Sequence, residues 1–409
     1  PLHPIYFRYK MSTTKPNLFT ASFFAASGAN FLLFFTFYMI LPVLPIYLHN
    51  QFHATRSTIG LVLSSYTVMA LLFRPFAGFI VDSVPRKPLL LVVYLLCISF
   101  FGWYMLAGSL IFFAILRATH GIAFGAVSVS NNTMAIDIMP SERRGEGIGY
   151  FGVTSNLAMA VGPTLSLYLL DAYNDFNLIF GVALSAGIIG FLMITLIKPP
   201  LKSKENIQKP LKEPISFDRF LLIKAITVAL VLTLLSFSYG VMSSYIALYG
   251  KEEVGLNHGT GRFFIFLSLG LIISRIPTAK LVNQQRYKGL ITSGIIGLII
   301  GYAILVFCKT SFGYFAAASI VGISYGLINP SFQSMIIGMG RTNQRGTANA
   351  TYYTAWDLGI GAGTVAGGVI AGVSNYSTAF LTGIIFAVLG LVWFRIYFSK
   401  NKMDNTIIK

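Results

Sequence analysis

A chain of 409 residues that is 55% hydrophobic and only 11% charged does not have the composition of a water-soluble globular protein. Its net charge of +17 at pH 7 would suit a nucleic-acid partner, yet the basic residues sit in short loops between long apolar runs, where anionic lipid headgroups meet them. Cys97 and Cys308 lie in or beside different apolar runs, so no disulfide framework is expected.

About 20 apolar residues cross a bilayer as a helix, and the chain has many such runs. The stretch before Met11 is basic and irregular, carries no cleavable signal pattern, and makes Met11 a candidate start. The first span is read over 18–47, and the second over 57–81. A third covers 89–107 and a fourth 110–138. The polar loop PSERRGEG leads into a fifth that ends near 170, and the sixth is 176–197. One long break follows over 198–217, rich in proline and charge, which reads as a solvated linker. Six more spans are expected near 222–249, 260–282, 289–308, 312–338, 347–373 and 376–398. The run lengths and the lack of alternation exclude strands.

The two sets of six are copies. Adding 201 to a number in the first half lands on a matching residue in the second: Arg74 on Arg275, Lys87 on Lys288, Gly121 on Gly322, Gly125 on Gly326, Arg144 on Arg345, Gly162 on Gly363. A register held without a gap marks a duplication. The expected architecture is all-α: twelve transmembrane helices in two pseudo-symmetric bundles, 1–197 and 218–409, joined by the linker 198–217.

Charge orients them. With both termini inside, the inner segments carry 23 of the 30 Lys and Arg, and the outer loops carry Arg56, Lys251, Arg262 and Lys309. That is the positive-inside pattern, and it places both termini and the linker in the cytoplasm.

Three stretches carry a resemblance. GFIVDSVPRK after the second span resembles the signature loop of the major facilitator superfamily, with Gly78, then Asp82 four residues on, then the basic Arg86 and Lys87. Pro85 stands near the customary second glycine. RATHGIAFG in the fourth span is similar to the family's second motif, with Arg117 and Gly121 in place and His120 where glutamine is usual. ERRGEGIGYFG and the later Gly162-Pro163 pair resemble the drug:proton antiporter and sugar-efflux branch, although TLSL replaces its two closing glycines. The resemblance implies a secondary transporter of the bacterial inner membrane, a monomer working by alternating access and exporting a small drug, sugar or other amphiphile against protons. A nutrient importer or a non-transporting receptor with the same fold are the alternatives. Nothing calls for a cofactor, a metal, a nucleic acid or an enzyme's catalytic cluster: no GxxxxGK[ST] is present, nor an HExxH or Cys/His spacing.

The residues themselves divide into three groups. Asp82, at the inner end of the second span, needs a partner, because a lone buried carboxylate costs several kcal/mol. The start of the eleventh span near Thr347, with Arg86 and Lys87, is the expected partner, and Asp137 is expected to engage the same basic pair. Together with Gly78 these form an expected cytoplasmic latch. Asp357 is the one acidic residue placed deep, about eleven residues into the eleventh span, and its duplicate is uncharged Asn156. It is the expected proton-coupling group, with Arg117 and His120 as the other candidates and Arg117 as its partner in one state. Arg74 and Arg275 are expected to share a structural task at least as much as a functional one. The substrate-cavity candidates are Asn30, Tyr66, Asn156, Tyr239, Tyr325, Asn329, Gln333, Tyr353 and Trp356.

Overall fold

The computed structural model describes residues 16–54, 56–198, 217–256 and 260–400. The expected linker, apart from Lys198 and Phe217, lies outside the described residues, as does Met11. The first half holds α1 (Ala21–Ile40), α2 (Val43–Phe52), α3 (Arg56–Ser83), α4 (Arg86–Met105), α5 (Leu110–Ile138), α6 (Arg144–Tyr173) and α7 (Phe176–Thr195). The second holds α8 (Ile226–Glu252), α9 (Arg262–Asn283), α10 (Tyr287–Phe307), α11 (Ser311–Met339), α12 (Arg345–Val373) and α13 (Tyr376–Lys400).

Among the described residues eleven helices are long and apolar enough to cross a membrane, and α9 makes a twelfth, bent by 46° between Arg275 and Pro277. Proline lacks the N–H that closes a helical turn, which accounts for the bend. The first span differs from its sequence reading. Pro42 and Pro45 end the membrane helix at Ile40 and start the separate ten-residue α2 instead.

Local chemistry repeats with the 201 register. Ser109 caps α5 by accepting from Phe112 N, and Thr310 caps α11 by accepting from Gly313 N. The short 3-10 turns Ser141–Arg143 and Thr342–Gln344 precede α6 and α12 at the same offset. Close approaches are copied too. A Cβ on Gly121 would fall 2.2 Å from Tyr66 O, and one on Gly322 would fall 2.2 Å from Leu267 O. Glycine lets α3 lie against α5, and α9 against α11, closer than any side chain permits.

Within each half the packing follows one plan: α3 lies on α5 as α9 lies on α11, and α1 lies on α6 as α8 lies on α12. The halves meet along two seams, α3 with α12 and α6 with α9, which exchange under the duplication. The loops carrying Arg86, Lys87, Arg143, Arg144, Arg286, Arg341 and Arg345 all fall at one end, the basic end. Outward faces are apolar: Leu61, Ile111 and Val369 are 72%, 75% and 63% exposed. Such a girdle suits hydrocarbon rather than water.

Candidate functional site

Between the halves, midway along the helices, lies a cavity of about 290 Å³. All nine of the polar and aromatic candidates from the sequence line it: Asn30, Tyr66, Asn156, Tyr239, Tyr325, Asn329, Gln333, Tyr353 and Trp356. Tyr239 is edge-on to Tyr325, with ring centroids 5.2 Å apart, and Tyr325 is edge-on to Trp356 at 5.7 Å, giving an aromatic wall on the second half. Phe37 stacks on Phe124 at 4.7 Å on the first half. Sequence reading missed Phe37, Phe124 and Tyr38, because an apolar or aromatic residue in a span carries no mark of which way it faces.

Three charges also line this cavity: Arg74, Arg275 and Asp357. The partner of Asp357 is Arg74, not Arg117. Arg74 Nη1 lies 2.7 Å from Asp357 Oδ2 and also donates to Tyr353 O at 3.1 Å. Its guanidinium stands over the Tyr353 ring, 4.8 Å from the centroid. The pair joins α3 of one half to α12 of the other, so it is a tie between bundles.

Below it, toward the basic end, amides close the floor. Gln333 Nε2 donates to Asn132 Oδ1 at 2.9 Å, and these two residues are themselves 201 apart, so the bond crosses the pseudo-symmetry axis. Asn132 Nδ2 donates to Tyr353 Oη at 2.5 Å, and Asn349 Nδ2 donates to Thr133 Oγ1 at 3.1 Å.

At the basic end itself Asp82 accepts from the backbone N–H of Gly346 and of Thr347, both at 2.8 Å, and from Thr347 Oγ1 at 3.0 Å. These are unpaired N–H groups of the first turn of α12, where helix geometry favours an anion. Gly78 admits this approach: a Cβ there would fall 2.6 Å from Ala350 Cβ. Arg86 bridges Asp82 at 3.1 Å and pairs with Asp137, and Arg345 reaches Asp137 from the other half at 2.6 Å. Tyr239 Oη also contacts Met159 Sδ across the halves, at 3.9 Å.

The family model described as the Major Facilitator Superfamily matches residues 26–364 and 286–406. This chain belongs to the major facilitator superfamily. Its members are transporters rather than enzymes, and this one is a multi-pass membrane protein that moves a small molecule. A staphylopine export protein of Staphylococcus aureus is 22% identical over 89% of this chain and 93% of its own length. The quinolone resistance protein NorA of the same species is 23% identical over 79% of this chain and 83% of its own. Among solved structures, a human organic anion transporter, MFSD10, superposes with TM-score 0.77 at 16% identity, covering 91% of this chain and 99% of its own. The transporter FucP in its outward conformation gives 0.75 at 14%, covering 92% and 99%.

Three candidates stand elsewhere in this superfamily member. Lys87 is not part of the Asp82 cluster: its Nζ donates to Thr195 O at 2.7 Å and Ile197 O at 2.8 Å, capping the end of α7. Arg345, not singled out in the sequence for that role, stands at Asp137 instead. Arg117 and His120 do not line the cavity. Arg117 stacks on the Tyr66 ring at 4.0 Å and its Nη1 donates to Tyr104 Oη at 3.5 Å. His120 is buried against Phe100, with Tyr104 Oη at 2.7 Å and Cys97 Sγ at 3.4 Å. Among the described residues no three His, Cys, Asp or Glu side chains cluster as metal ligands do.

Proposed function

We propose that the protein exports a small solute from the bacterial cytoplasm in exchange for protons. The basic end with both termini faces inward, 198–217 is the linker between the bundles, and the protein acts as a monomer. The observation that carries this reading is the Arg74–Asp357 pair, which lies in the cavity and ties the two halves together. In this reading the basic end is the inner side, Asp82, Arg86, Asp137 and Arg345 hold it shut, and the state is outward-facing; their contacts between the halves support it. The export activities of the staphylopine exporter and of NorA support the direction.

In this scheme a proton arriving from outside neutralises Asp357 and removes the charge that holds Arg74. Breaking a buried pair by removing one partner costs about 3–5 kcal/mol, so the α3–α12 seam loosens and the inner side opens. The proton leaves to the cytoplasm, solute enters the cavity, and the pair forms again as the inner side shuts. The protonated form favours the inward-open state and the ionised form the outward-open state, and this bias couples the two fluxes.

Proteoliposomes with an imposed pH gradient, screened with small solutes that include quinolones, test this. Wild-type protein is expected to drive accumulation that Asp357→Asn abolishes, while solute exchange at equal pH continues. An Asn variant that still builds the wild-type gradient contradicts the reading.

A further inference from the structure

The duplication makes a second copy of the Arg74–Asp357 site, and that copy lacks its carboxylate. The 201 register carries Arg74 on α3 to Arg275 on α9, and carries Asp357 on α12 back to Asn156 on α6. The seam α6–α9 is the symmetry mate of α3–α12. Where the first copy has an acid, the second copy therefore has an amide.

Its surroundings agree. Arg275 is 93% buried, lines the cavity, and has no ion pair or hydrogen bond to another described residue, with its Nε orphaned. Tyr353, the ring under Arg74, maps to Gly152, and the Arg275 guanidinium rests on that glycine: a Cβ there would fall 2.0 Å from Nη1. Asn156 lies one turn further along the same face of α6, and its Nδ2 is buried without a partner. A buried cation and an unsatisfied donor thus converge on one wall of the cavity. Arg74, Arg275 and Asp357 leave that cavity one positive charge in excess while Asp357 is ionised. A buried arginine is costly unless an anion meets it, and guanidinium matches a carboxylate with two parallel hydrogen bonds.

We propose that Arg275 and Asn156 form the binding site for a carboxylate group of the transported solute. The aromatic wall of Tyr239, Tyr325 and Trp356 favours an organic carboxylate with an apolar body over an inorganic anion. This rests on the transporter reading above. It concerns binding at equilibrium, so it holds or fails without regard to Asp357 and the proton gradient.

The test is thermal stability and calorimetric binding of purified protein with benzoate, against benzamide, benzylamine and inorganic phosphate. Benzoate is expected to stabilise the protein and to bind at least tenfold more tightly than uncharged benzamide. Arg275→Gln is expected to abolish the difference. Asn156→Asp restores the missing carboxylate of the pair, and it is expected to raise the melting temperature while removing benzoate binding. That variant keeps the question open to refutation should Arg275→Gln fold poorly. The proposal is overturned if benzoate acts no better than benzamide on wild-type protein, if phosphate stabilises as well as benzoate, or if Asn156→Asp binds benzoate unchanged.

Discussion

Asp82 shows how much one side chain at a helix end can decide. Its two oxygens take up two N–H groups of α12 and a hydroxyl, and Arg86 balances the charge. Its duplicate, Asn283, meets the start of α6 through the carbonyl of Glu142 instead, so the second seam has an amide where the first has an ion. Hydrogen bonds to a charged group contribute about 1.5–3 kcal/mol, and each 1.4 kcal/mol shifts a two-state ratio about tenfold. Asp82→Asn is therefore expected to move the population toward the inward-open state at least tenfold and to slow export, with solute affinity in the cavity little changed. Cysteine accessibility measured on the two sides checks the shift, and equal loss of binding and flux with no such shift contradicts it. Asp82, Asp137 and the cavity amides Asn30, Asn156, Asn329 and Gln333 were legible because polar groups in an apolar span stand out by type and depth. The partners of Asp357 and Lys87 were not. A side chain of Arg74 length reaches across to another bundle or along its own, and only the helix rotations settle which.

At the scale of elements, the two seams divide the labour. Seam α3–α12 carries Asp82, Arg74 and Asp357, and seam α6–α9 carries Asn283, Arg275 and Asn156. The duplication was legible in the 201 register of Arg, Lys and Gly, and the structure extends it to the caps and 3-10 turns. The break between α1 and α2 was also written there, in Pro42 and Pro45, but a run of apolar residues on both sides hid it. At the opposite end from Asp82, Glu253 ties α8 to the start of α13. It accepts from Tyr376 N and Ser377 N at the start of α13 and pairs with Lys309 at 2.7 Å. Burial alone raises its carboxyl, but the hydrogen bonds from Lys309 and Ser377 outweigh this and hold it below the ordinary 4.5. A depressed carboxylate stabilises the fold above its unfolded value and loses that contribution as pH falls through the folded one. Thermal stability is expected to drop on acidification below about pH 4.5, and Glu253→Gln is expected to show a smaller drop over the same range. An identical acid profile in the two proteins contradicts this.

For the whole molecule, the proposed motion of the two bundles depends on a few charges. The apolar core of each bundle follows the duplicated plan, and the ion pairs Arg74–Asp357 and Arg345–Asp137 cross between them toward one end. Neutralising Asp357 cuts one of these ties from inside the cavity. The most direct measurement is the spin-label distance between Ser141 and Thr342, repeat-related turns on opposite halves at the basic end, as pH is lowered. Both are exposed, Cys97 is buried, and Cys308→Ser removes the one exposed native thiol among the described residues. A short distance is expected at high pH, a longer one gaining population as pH falls, and in Asp357→Asn a distribution that favours the longer one and does not change with pH. A distance distribution in Asp357→Asn that still shifts with pH as the wild type does contradicts it.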